Sequence, residues 1–113
     1  MDRDYGSLLP RILSKLFPDA ATRDQASATL RAYGRESFHR EVERVHVGIL
    51  RLSGTDLSAI ERWTGLACAD YRDLLVEAEC RLSFGKDGSQ KYEALKKKDA
   101  EQYDAWIAGV LAR

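Results

Sequence analysis

The sequence predicts an all-α protein, a compact bundle of four or five helices built on a central antiparallel helix hairpin. Two patterns predict it. In residues 55–81, TDLSAIERWTGLACADYRDLLVEAECR, the apolar residues Leu57, Ile60, Ala67, Tyr71, Leu74, Leu75 and Ala78 recur at three- and four-residue steps. At about 100° per residue that spacing puts them on one helix face. Just before it, Phe38, Val42, Val45, Ile49 and Leu52 alternate four and three residues apart, a narrow seam suited to lying nearly antiparallel to a neighbour. No stretch carries a defensible strand pattern. At 113 residues the chain is expected to be one domain, 1–113, able to bury roughly two thirds of the surface its unfolded form exposes.

The elements follow in order. Residues 5–17, YGSLLPRILSKLF, hold Tyr5, Leu8, Leu9, Ile12, Leu13 and Leu16 in helical register, with Pro10 expected in the first turn, where its missing donor costs least. Phe17 and Pro18 end this helix. Asp19 is placed to cap a second one, whose thin stripe is Ala26, Leu30 and Tyr33 and whose stop is Gly34. The third helix is expected over residues 37–53. Gly54 then serves as its stop and Thr55 as the next N-cap, with Asp56 in the first turn, where the helix dipole favours a negative charge. The fourth helix is read as continuous across Gly65 because its apolar face keeps phase from Leu57 to Ala78. The run SFGKDGSQ reads as a loop, most mobile at residues 85–88. Ser89 can cap a last helix carrying Tyr92, Leu95, Tyr103, Trp106, Ile107, Val110 and Leu111, which the lysines 96–98 can divide to leave Asp99 as a second cap.

Charge excludes some function classes. Lys plus Arg equals Asp plus Glu at 18 each, and the balance holds along the chain: residues 1–57 carry nine basic and eight acidic side chains. No basic half is available to hold a phosphate backbone, so no nucleic-acid partner is expected. A helix-turn-helix reading of residues 57–75 fits in spacing. Its would-be recognition helix, however, sets Asp70 and Asp73 against Arg72 alone, and Glu61 occupies a position normally given to a small residue. Asp2 and Asp4 stand where a leader would be basic, and no apolar run nears the ~20 residues needed to cross a bilayer. No membrane partner is expected, and the setting is read as cytoplasmic. Cys68 and Cys80, about 18 Å apart on a continuous helix at 1.5 Å per residue, read as free thiols.

Two constellations could carry function. Asp70, Asp73 and Glu77 line one side of the fourth helix with Trp63 and Tyr71 nearby. An acidic strip beside an exposed aromatic suits a basic segment of a protein partner. The second is Glu36-x-x-His39 followed by Glu43-x-x-His46. On one continuous helix these four side chains share an arc of about 80°. Glu and His three apart is the ligand pairing of carboxylate-bridged metal bundles, so His39, Glu43 and His46 form an alternative metal site. Neither cysteine has a neighbouring His or a glycine elbow, FGKDG is the wrong spacing for a phosphate cradle, and the reading is non-catalytic with no cofactor.

Residues 33–63, YGRESFHREVERVHVGILRLSGTDLSAIERW, then ADYRDLLVEAE at 69–79 and KKDAEQYDAWI at 97–107, resemble a group of small uncharacterised bacterial proteins. The group shows Tyr-Gly, an Ile-Leu-x-Leu-Ser turn, Asp-Tyr-Arg-Asp-x-Leu and a late Gln-Tyr-x-x-Trp. The most distinctive part here is Asp70 to Asp73, the first helix lies outside the likeness, and His46 and Gly65 depart from the group's pattern. The resemblance implies a bacterial, cytosolic setting and carries no established activity. The function expected from the sequence is a non-catalytic protein-protein interaction module or homodimer, with a metal-binding bundle or metal-dependent enzyme using the Glu-x-x-His helix as the alternative and helix-turn-helix DNA binding as the third and weakest reading.

Overall fold

The computed structural model describes residues 3–113, so Asp2, counted above against a basic leader, lies outside the described residues. Among the described residues the chain forms six helices and no strand, which corrects the expected four or five. α1 is Tyr5–Leu16 and α2 is Ala20–Leu30. Each begins at an aspartate that takes an orphan amide: Asp4 accepts from the Ser7 N–H at 3.1 Å, and Asp19 from the Thr22 N–H at 2.9 Å and its hydroxyl at 2.8 Å. Pro10 sits in the middle of α1, not in its first turn. Without an N–H it leaves the Gly6 carbonyl unbonded in the helix, which is tolerable because both residues face solvent.

α3 is Val42–Ser53, and the rest of the molecule is arranged around it. All six residues from 45 to 50, VHVGIL, are buried, so this helix is enclosed on every side and does not present a narrow seam. α1, α4 and α5 pack on it. α5 packs tightly over Gly48: a Cβ there would lie 3.1 Å from the Ala78 methyl carbon and 3.2 Å from Leu74 Cδ1. The helix starts five residues later than the seam implied. Phe38, in phase with Val42, is 69% exposed, and Glu41 turns through φ 53° without a side-chain cap.

α4 is Leu57–Ala69 and α5 is Tyr71–Glu79. The turn from α3 lies where Gly54 placed it, with Asp56 and not Thr55 as the cap, accepting from the Ser58 and Ala59 amides. The fourth helix does run through Gly65, whose Cβ position is open space, but it breaks at Asp70. There the backbone is extended (φ −159°, ψ 103°), and one residue both ends α4 and caps α5. This break, with the undivided last helix, accounts for the count of six.

α6, Tyr92–Leu111, is continuous past the lysines and packs on α1 and α5. Asp99, expected as a cap, is buried instead. It accepts the Leu82 and Ser83 amides at 3.1 and 3.0 Å and the Ser83 hydroxyl at 2.7 Å, fastening the loop after α5 to α6. The Arg44 guanidinium meets Glu79 in a two-pronged pair, joining α3 to the end of α5. Arg3 pairs with Asp104 at 2.8 Å and, like Arg51, lies over the buried Tyr103 ring.

Candidate functional site

Residues 34–41 form a loop in place of the expected start of a helix, and three buried or half-buried rings hold it. α2 ends at Leu30 and turns once more to Tyr33; Gly34 then takes φ 121°, a conformation that side chains rarely adopt. Tyr33 is 1% exposed, and its hydroxyl closes the loop at its far end, donating to the Arg40 carbonyl at 2.7 Å and accepting the Arg40 amide at 3.1 Å. Two histidines take the two ends of one peptide group. His46 Nε2 lies 2.7 Å from the Tyr33 carbonyl, and His39 Nδ1 accepts the Gly34 N–H at 2.7 Å and the Glu36 N–H at 3.3 Å. The partners dictate the protonation of each ring: a carbonyl can only accept, so His46 carries its proton on Nε2, and amides can only donate, so His39 Nδ1 is a bare lone pair. His39 also stacks on Tyr33 at 4.3 Å, and burial pushes the His46 pKa below its ordinary value against the Tyr33 and Leu30 carbonyls, which favour its charged form.

The loop faces the break between α4 and α5 across a cleft of about 370 Å³. Phe38, His39 and Arg40 form one wall; Cys68 at the end of α4, with Asp70, Tyr71 and Arg72 at the start of α5, forms the other. Asp70 accepts the Arg72 amide at 3.0 Å and pairs with the Arg72 guanidinium at 3.1 Å. These contacts hold its carboxyl below the usual range. Phe38 stands edge-on to His39 at 5.0 Å and is otherwise uncovered. The cleft thus offers an apolar edge, the Tyr71 ring and charges of both signs. The exposed Cys68 thiol donates to the Ala32 carbonyl at 3.7 Å and not to an imidazole, so the walls hold no activated cysteine-histidine pair. A groove of about 410 Å³ between α1 and α6, lined by Leu8, Ile107 and Leu111, has no comparably exposed side chain over it.

The residues singled out in the sequence are only partly brought together. Asp70 and Tyr71 line the cleft; Asp73 and Glu77 lie on the exposed side of α5 beyond it. Trp63, taken as an exposed anchor, is half-buried against the core on α4, and the break at Asp70 removes the common helix line it would share with the strip. The His39, Glu43 and His46 arc is lost because His39 precedes α3. Both imidazoles spend a nitrogen on backbone, and among the described residues no three His, Cys, Asp or Glu side chains converge to hold a metal ion. Sequence reasoning missed Tyr33, Phe38, Arg40 and Arg72 as site residues. In the sequence Tyr33 looks like the last residue of an apolar stripe, Gly34 like a helix stop, and Phe38 like part of a seam.

Comparison of the chain with models of known families, with curated proteins and with solved structures finds no match.

Proposed function

We propose that this protein is a non-catalytic interaction module that self-associates through the cleft between residues 34–41 and the α4–α5 break. The observation that carries the reading is Phe38. It is a phenylalanine 69% exposed on a loop fastened to the core by Tyr33 and His39, beside a cleft that its own chain does not fill. Isolated exposed apolar residues need no explanation, but one held rigidly over a concave surface is the usual form of an interface anchor. A second copy of the chain fits as the occupant. Net charge is zero, so copies do not repel, and the patch carries Arg40 and the Asp70–Arg72 pair side by side. A surface bearing both signs can be self-complementary about a two-fold axis. In that arrangement Phe38 of one copy enters the cleft of the other over Tyr71, and the exposed Asp73 and Glu77 of α5 form an acidic rim for the opposing Arg40. No described helix is long and apolar enough to cross a membrane, and the free thiols of Cys68 and Cys80 suit a reducing cytoplasm.

Light-scattering mass against concentration tests the reading. The wild-type chain is expected to move from monomer to dimer mass as concentration rises, and Phe38→Ser to remain monomeric with an unchanged fold. A wild-type protein that is monomeric throughout, or a Phe38→Ser variant that still dimerises, contradicts it.

A further inference from the structure

We propose that His39 is an acid-sensitive latch: protonation at Nδ1 releases residues 34–39 and loosens the cleft wall that carries Phe38. The inference follows from the direction of two hydrogen bonds. His39 Nδ1 accepts from both the Gly34 and Glu36 amides, so its lone pair ties the side chain to the turn, beside the backbone bond from the His39 amide to the Glu36 carbonyl at 3.1 Å. Histidine is the side chain whose charge ordinarily changes between about pH 5 and 8. Taking up a proton there removes the acceptor for both amides and sets three N–H dipoles against one another. The stack on Tyr33 survives, because a cation over an aromatic face is also attractive. What is lost is the anchorage of the turn.

His46, on the other side of the same peptide group, differs in the bond it makes, although charging its buried ring also costs stability in acid. It donates to the Tyr33 carbonyl, and a donor keeps its proton in acid, so that bond outlasts protonation. The two histidines therefore divide the segment: α2 stays tied to α3 through Tyr33, while the turn beyond Gly34 comes free. No surrounding group offsets this by pairing with the His39 ring. Glu36 precedes it by three residues and Arg40 follows it, Tyr33 stacks on it from the turn after α2, and Cys68 of α4 with Asp70, Tyr71 and Arg72 at the start of α5 face it across the cleft. Asp70 is engaged by Arg72, and among the described residues no carboxylate forms an ion pair with the imidazole. Tyr33 still grips Arg40 at the far end, so the release is local to residues 34–39.

The latch is a property of the loop itself; its meaning as a regulator of association rests on the proposed self-association. Amide hydrogen-exchange protection factors for the full chain, measured by NMR at pH 8 and pH 5, test the latch alone, since they divide out the intrinsic pH dependence of exchange. Protection at Gly34 and Glu36 is expected to fall roughly tenfold in acid, the equilibrium change that goes with losing hydrogen bonds of this kind. The α3 amides of residues 45–50 are expected to stay protected. His39→Asn, which keeps an acceptor that does not titrate, is expected to remain protected at both pH values, and His39→Ala at neither. Equal protection of the wild type at pH 8 and pH 5 overturns the proposal. So does a parallel loss in His39→Asn, which would place the sensor elsewhere. Light-scattering mass at the same two pH values then reads the coupling: dimer lost in acid by the wild type and kept by His39→Asn supports it. A latch that opens with no change in mass overturns the regulatory step while leaving the latch, and a wild type that never dimerises fails the interaction reading instead.

Discussion

Tyr33→Phe isolates the contact on which the loop depends. The ring is 1% exposed and stacks on His39, and phenylalanine keeps that volume and that stack, so core packing is unchanged. Only the hydroxyl is lost, and with it the bond donated to the Arg40 carbonyl and the one accepted from the Arg40 amide. A hydrogen bond between neutral groups contributes about 1 kcal/mol net, so the pair is worth about 2 kcal/mol if both Arg40 groups are left dry. Arg40 is exposed, and water can recover part of the loss, which brings the expected cost to about 1.5 kcal/mol. For a domain of this size that is a fall of roughly 5 °C in Tm. The assay is urea unfolding with the slope held common to both proteins, together with exchange protection at the Arg40 amide. A loss under about 0.3 kcal/mol with Arg40 still protected would refute the view that Tyr33 closes the loop. A loss above about 4 kcal/mol would show that the ring itself had moved.

Other perturbations test the packing and the charges. Gly48→Ala is expected to cost about 1–2 kcal/mol in urea unfolding, because overpacking against Ala78 and Leu74 outweighs the gain in helix propensity. Gly65→Ala, at an open position inside α4, is expected to stabilise by about 0.5–1 kcal/mol in the same assay. Asp99→Ala strands two backbone amides and a hydroxyl around a buried site, and an unfolding loss of about 3 kcal/mol is expected. His46 is buried with its folded pKa below the unfolded value, so the unfolded chain binds more protons as pH falls through about 6.5. Its contribution is therefore complete above that pH and declines below it. Urea midpoints between pH 5 and 8 in a His39→Asn background are expected to show this fall, and a flat profile would contradict it.

What the sequence made legible was local. Asp19 as a cap and Gly54 as a stop follow from side chains bonding to their own neighbourhood, which needs no knowledge of the tertiary fold. The break at Asp70 was concealed because Leu74, Leu75 and Ala78 return to the core after a one-residue interruption, so the apolar stripe hardly loses phase. A signal existed there: Asp70 followed three residues later by Asp73 is an aspartate at a cap with a negative charge in the first turn, a pattern that on a continuous helix looks the same as an acidic strip. The late start of α3 had no such signal. Glu41 caps nothing, and Ser37 beside an in-phase Phe38 imitates a helix start. The Tyr33, His39 and His46 cluster could not be read in advance, because it exists only once α2 and α3 are packed and each ring is matched to a backbone partner. The burial of α3 on all sides contradicts the narrow seam expected from the sequence, although a signal existed: VHVGIL is nearly unbroken in apolar character, the mark of an enclosed helix.

The central claim is that Phe38 meets the cleft of a second copy, and isotope-filtered nuclear Overhauser spectroscopy on mixed labelled and unlabelled chains measures it directly. The account predicts contacts between copies from the Phe38 ring to Tyr71 and the start of α5, absent from unmixed labelled protein after filtering. Contacts between copies confined to another surface, such as the groove between α1 and α6, or none at concentrations where the mass is dimeric, would contradict it.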